Sequence, residues 1–192
     1  MTIQNRRERE RAERHQLIID AARDLAESEG WDAVTTRRLA DKVEYSQPVL
    51  YSHFKGKDAI VRAVAIQGFG ELARLMRKAR STQGKTRLQA AAEAYLEFAR
   101  ERPALYDAMF VQQIDIPFGT EETPAELRDA FSEFVAAVEP VVGDRDLETL
   151  TEVFWSALHG IATLTHGKRL RPDHHQARLD LVLRSVQPGT AP

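Results

Sequence analysis

The chain has 192 residues, 43% of them hydrophobic, with no cysteine and a formal net charge of −2. That hydrophobic share supports a packed core and excludes a wholly disordered chain. The missing cysteines exclude disulfide staples, thiolate metal sites and cysteine nucleophiles. No apolar run approaches the roughly 18–20 residues needed to cross a bilayer, and the polar N-terminus, with acids beside its arginines, is not a secretory signal. The expectation is a cytoplasmic protein with no membrane partner.

Residues 1–11 read as a charged arm. Either it is solvated and mobile, or its alternating Arg and Glu extend the first helix through i,i+4 pairs. Leu17, Ile18, Ala21, Ala22, Leu25 and Ala26 then repeat at helical spacing, and Gly30 is a fitting residue to end that helix. Trp31 and Val34 lead into a second helix, for which Thr35 and Thr36 are good N-caps and Leu39, Ala40 and Val43 form the apolar face. Glu44-Tyr45-Ser46 breaks the pattern. Ser46 is placed to cap a third, short helix with Pro48 in its first turn, where a missing N–H costs little. Its Val49, Leu50 and Phe54 point to a core. Gln47, Tyr51, Ser52 and His53 are left outside, followed by Lys55 and Lys57.

A longer helix is expected from Lys57 to about Arg80, with Gly68 and Gly70 as places to loosen or kink it. Residues 81–84 form the clearest linker. Further helices are expected over about 86–101, from Pro103 through Phe110, from Pro124 to about Glu139, over 147–165 and over 174–186, with a loop at 115–123. No period-two strand pattern and no internal repeat is present. The fold class is therefore all-α: an N-terminal three-helix, helix-turn-helix head plus a C-terminal helical bundle, about nine helices in two layers. The expected division is the head with its arm at 1–57 and the helical bundle at 58–192.

A short helix with a hydrogen-bonding outer face and cations at its end suits a major-groove reader. Residues 1–57 carry 11 Lys and Arg against 10 Asp and Glu, and the remainder 16 against 19. The positive balance of the head is thin, so the placement of Arg37, Arg38, Lys42, Lys55 and Lys57 matters more than the total. Asp41 and Glu44 oppose them, and binding should be salt-sensitive. The arm arginines, Arg6 to Arg14, read either as a minor-groove arm or as a solvated one. No nucleophile–base set, metal cluster or phosphate loop is visible, so an enzyme is not expected. His159 and His166 lack the spacing and the nearby carboxylate of a metal pair, and no metal or cofactor is expected.

Thr-Thr-Arg-Arg-Leu-Ala at 35–40, Ser-Gln-Pro-Val-Leu-Tyr-Ser-His-Phe at 46–54 and Lys-Gly-Lys-Asp at 55–58 resemble the signature of the TetR family of bacterial transcriptional regulators. Leu39 replaces the commoner isoleucine, and Glu44-Tyr45 replaces the common Gly-Val of the turn. Glu101-Arg102-Pro103-Ala104-Leu105-Tyr106, Met109-Phe110 and Trp155 with His159-Gly160 resemble the subgroup named for a C-terminal Trp-His-Gly motif. The resemblance implies a homodimer that binds a near-palindromic double-stranded DNA operator and is released by a small-molecule inducer, most simply as a repressor. The DNA-contacting set is then Thr36, Arg37, Ser46, Gln47, Tyr51, Ser52, His53 and Lys57. The candidate ligand pocket is Tyr95, Phe98, Met109, Phe110, Gln113, Phe131, Phe134, Trp155 and His159; aromatics and Met at helical spacing are more often ordinary core, which is the alternative for each. The candidate dimer interface is Phe154, Leu158, Ile161, Leu179, Val182, Leu183 and Val186, whose alternative is to cover only their own core. A rival reading is a helical small-molecule carrier or sensor whose head contacts protein rather than DNA.

Overall fold

The computed structural model describes residues 3–81 and 84–187; the first two residues of the arm and Thr82 and Gln83 of the expected linker lie outside them. Among the described residues all regular structure is helical: α1 (Ile3–Glu29), α2 (Thr36–Lys42), α3 (Gln47–His53), α4 (Lys57–Arg80), α5 (Arg87–Glu101), α6 (Pro103–Phe110), α7 (Ala125–Val138), α8 (Leu147–His166) and α9 (His175–Val186), with three short 3-10 turns. The all-α expectation and the count of nine helices hold among these residues. Of the two readings of the arm, the structure takes the helical one from Ile3 onward, with Arg6–Glu10 paired at 2.8 Å and Arg9–Glu13 at 3.7 Å.

The chain groups into two compact units. One holds the residues up to Gly68 together with Ala104–Pro117, and the other holds Phe69–Pro103 and the residues from Phe118 onward. In the first unit α1 ends at Gly30, whose φ of 83° and ψ of 163° lie where glycine alone sits without strain. The Thr35 hydroxyl accepts from the Arg38 amide at 3.2 Å and starts α2. Leu39 and Ala40 of α2, Leu50 of α3 and Ile18, Ala22 and Leu25 of α1 are buried together with Phe54. Helix α2 ends in a two-bond clasp, Tyr45 N–H to the Ala40 carbonyl at 2.9 Å and Glu44 N–H to the Asp41 carbonyl at 3.3 Å. This is the Schellman arrangement, which puts its C′ residue in the left-handed region. That residue is Glu44, at φ 57°, a conformation in which a side chain costs about 1–2 kcal/mol.

Helix α6 belongs to this same unit. The Glu27 carboxylate accepts from the amides of Ala104 at 3.3 Å and Leu105 at 3.1 Å, so α1 caps the free N–H groups at the start of α6. The buried Trp31 indole donates to the Ala104 carbonyl at 2.7 Å. Gly68 explains itself here as a seat rather than a kink. A Cβ at that position would stand 2.6 Å from the Met109 sulfur and 2.9 Å from Leu105 Cδ1, so glycine leaves the room that these two buried side chains of α6 fill against α4.

In the second unit α5, α7 and α8 pack on one another in pairs, and α9 lies along α8. Thr86 caps α5 and Asp146 caps α8, accepting from the Gln89 and Thr149 amides at 3.1 and 2.8 Å. The Thr149 amide also holds the Asp146 carboxyl below its ordinary value. The buried Glu133 of α7 is clamped by two arginines of α4, Arg77 at 2.7 Å and Arg80. A buried charge is tolerated only when paired in this way. No helix among the described residues is long and apolar enough to cross a membrane.

Candidate functional site

Ser46 occupies the N-cap position of α3 but its hydroxyl makes no capping bond, contrary to the role expected of it; the helix starts instead with Pro48 in its first turn. The inner side of α3 is anchored by Leu50 and Phe54. The outer side exposes Ser46, Gln47, Pro48, Tyr51 and Ser52. Tyr51 is 52% exposed despite its ring, and its hydroxyl lies 3.4 Å from that of the half-buried Thr36 on α2. The two short helices thus present these hydroxyls as a pair. Arg37 stands exposed beside them. Ser52 turns its hydroxyl back onto the Val49 carbonyl at 2.6 Å.

Arg38 and Lys57, beside the two short helices, have intramolecular partners. Arg38 forks onto Glu29 at 2.7 and 2.9 Å and so ties α2 to the end of α1. The same bond holds the Glu29 carboxyl below its ordinary value. Lys57, expected to meet phosphate, is half-buried and donates to the Trp31 carbonyl.

His53, at the end of α3, is half-buried, and its Nδ1 is buried without a hydrogen-bond partner among the described residues. Its ring centroid lies 6.1 Å from that of His15, which stacks on Phe54 at 4.2 Å. Burial, then the neighbouring His15, Arg11 and Arg14, hold the His53 pKa below its ordinary value. Burial and Arg11 do the same for His15. The sequence patterns do not single out His15. Its signal is its place on α1, three residues before the buried Ile18.

The expected pocket residues divide between the units. Tyr95, Phe98, Phe131, Phe134, Trp155 and His159 lie in the second; Met109, Phe110 and Gln113 lie in the first, where Met109 is buried and Gln113 is exposed. In the second unit a polar chain runs through an aromatic cluster. The Trp155 indole donates to the Tyr95 hydroxyl at 3.2 Å, that hydroxyl lies 3.2 Å from His159 Nδ1, and the Thr163 hydroxyl lies 3.5 Å from His159 Nε2. Phe134 meets the Tyr95 ring edge-on at 5.4 Å. Burial lowers the His159 pKa, favouring the neutral imidazole. Separately, α4 and α5 border a groove of about 240 Å³ with Leu75 and Phe98 among its walls. Arg102 sits there over the Phe98 ring at 5.5 Å and pairs with Glu71.

Of the expected interface residues, Phe154, Leu158, Ile161, Leu179 and Val186 are buried within the chain's own packing, and Val182 and Leu183 are half-buried. The large apolar side chains that α8 and α9 leave exposed are Val153, Leu164 and Leu181, at 55, 39 and 60%. Gly160 is not at a close helix approach within the chain: a Cβ added there would have nothing within 4 Å.

A short helix with an anchored inner side and a polar outer side, held by a tight turn against the preceding helix, defines a helix-turn-helix protein, here joined to an all-helical bundle. Residues 18–64 match the family described as "Bacterial regulatory proteins, tetR family". Residues 88–186, more than half the chain, match "Tetracyclin repressor-like, C-terminal domain". The chain belongs to the TetR family of bacterial regulators. It is 32% identical over 100 residues to the HTH-type transcriptional regulator YobS of Bacillus subtilis, an alignment spanning 52% of either chain. It is 29% identical over 154 residues to the HTH-type regulator Rv0681 of Mycobacterium tuberculosis, spanning 77% of this chain and 67% of that one. The match therefore spans about half the length of the first relative. A solved structure of a protein of unknown function from Rhodococcus sp. RHA1 superposes with a TM-score of 0.75 at 24% identity, over 91% of this chain and 95% of that one; this likeness shows the fold.

Proposed function

We propose that the protein is a cytoplasmic, non-enzymatic transcriptional regulator that binds a near-palindromic operator as a homodimer through α3, represses from it, and is released by a small molecule bound in its helical bundle. The observation that carries this reading is the outer side of α3. Five successive or near-successive residues, Ser46, Gln47, Pro48, Tyr51 and Ser52, are exposed on a helix whose inner side is fully anchored. Gln47 has the two-group side chain that reads an adenine edge. The Thr36–Tyr51 hydroxyl pair and Arg37 are the phosphate-holding groups beside it.

Dimerisation is supported by the exposed Val153 and Leu164 of α8 and Leu181 of α9. With Gly160 between them on α8, two copies meeting here would bury large apolar side chains and bring their helices close. The inner residues Phe154, Leu158, Leu179 and Val186 then support that surface from beneath. The polar chain of Trp155, Tyr95 and His159 within apolar walls is the candidate ligand-recognising element, since binding sites combine apolar lining with a few placed polar groups. The C-terminal Trp-His-Gly pattern is consistent with that subgroup of the family. A ligand can shift the DNA-binding equilibrium only by its differential affinity for the two states.

A mobility-shift titration with the chain's own upstream DNA tests the reading. A sequence-selective shift is expected, and Leu181→Arg should reduce it by converting the dimer to monomer, as light scattering would register. A chain that shifts no DNA but binds a partner protein through its head would establish the carrier or sensor reading instead.

A further inference from the structure

The inward side of α1 is set by Ile18, Ala22 and Leu25, all buried. At 3.6 residues per turn, the same side followed toward the N-terminus is occupied by Arg14, Arg11 and Arg7. All three are exposed, and none makes an ion pair among the described residues. Of the pairs that form in this segment, Arg6–Glu10 lies along the flank of that side and Arg9–Glu13 on the far side. Glu10 also feels Arg14, but its hydrogen bond goes to Arg6. The apolar side of α1 therefore becomes a cationic one where the helix runs past the packed head. Like charges at i,i+4, as at Arg7 and Arg11, destabilise an isolated helix, so the alignment costs the free chain something that an anion would offset.

The direction of the stripe is fixed by its neighbours. Arg11 and Arg14 both act on His53, the last residue of α3, and His15 on α1 lies 6.1 Å from it. The stripe thus faces the side of the head that carries the end of α3. We propose that Arg7, Arg11 and Arg14 form a second phosphate-binding surface that grips the DNA backbone beside the groove α3 enters. This rests on the DNA-binding reading given above. Seven residues of helix span about 10 Å, enough for two or three successive phosphates of one strand. Such contacts add affinity and salt dependence without reading sequence, which suits a head whose net charge is nearly zero.

The test is fluorescence anisotropy of the full chain on a duplex from its upstream region, over a series of salt concentrations. The variants are R7Q/R11Q/R14Q and, as a control of smaller charge change away from the stripe, R6Q/R9Q. The triple variant should bind roughly tenfold or more weakly near physiological salt, with a slope of log affinity against log salt flatter by about 2.7 per head. Circular dichroism of the triple variant should be unchanged, since its three arginines are exposed and make no ion pair among the described residues. The control should lose much less. An unchanged slope in the triple variant, or an equal loss per charge in the control, would overturn the stripe while leaving DNA binding by α3 intact. Failure of the wild-type chain to bind any DNA would instead overturn the functional reading and the stripe with it.

Discussion

The head and the bundle treat their charges differently. In the bundle the buried carboxylate Glu133 holds Arg77 and Arg80, Glu93 holds Lys85, and Glu71 holds Arg102. In the head Arg38 is committed to Glu29, but Arg37, Arg7, Arg11 and Arg14 stand exposed and unpaired among the described residues. Paired charges hold a scaffold in place, whereas like charges aligned at i,i+4 cost stability. The bundle also leaves Arg74, Arg87 and Arg169 exposed, so what sets the head apart is alignment: its Arg7, Arg11 and Arg14 share one side of one helix, as the proposed DNA-binding reading would use them.

Breaking the bundle's pairing should give the largest effect. Glu133→Ala removes the buried carboxylate from between an exposed Arg77 and a largely buried Arg80 whose Nε is already unpartnered. It should cost about 3–5 kcal/mol in urea unfolding. Gly68→Ala should cost about 1–3 kcal/mol, because the new methyl meets the buried Met109 sulfur and Leu105 Cδ1, which must shift within the core. Glu44→Gly works in the opposite sense. Relief of the left-handed strain should stabilise the head by about 1 kcal/mol, readable as a raised unfolding midpoint at constant m.

A smaller effect sharpens the contrast through pH. His15 and His53 have pKa values below ordinary in the fold, chiefly because burial disfavours their charged forms. The unfolded chain then binds more protons than the folded one around pH 6, so stability rises with pH there. It is complete above the ordinary histidine value of about 6.5 and is lost as pH falls through the lowered values. His15→Gln with His53→Gln should flatten the fall in melting temperature between pH 7 and 5.5, with any residual slope including the contribution of His159.

Local features were readable in the sequence where neighbours in the chain decide them. Thr35 as a cap, Gly30 as a terminator and the polar outer side of α3 follow from residue type and spacing alone. What needed the fold were partners distant in sequence. Glu27 caps a helix 77 residues away, Lys57 turns to the Trp31 carbonyl, and Gly68 makes room for α6. The α8 and α9 residues show the limit most plainly. Helical periodicity identified Phe154, Leu158 and Leu179 as apolar and inward, but it cannot say whether the surface they meet belongs to the same chain or to a second copy. Ser46 shows the converse, since a residue of the right type at the right place makes no capping bond.

The central claim is that the outer side of α3 binds DNA. It is tested most directly by Gln47→Ala with Tyr51→Ala, compared with the wild-type chain in anisotropy titrations on its upstream duplex at fixed salt. Both residues are exposed, so circular dichroism and the unfolding midpoint should not change. The account predicts an operator affinity lower by at least tenfold, about 1.4 kcal/mol or more, with the dimer intact. Undiminished affinity in a folded, dimeric double variant would contradict it.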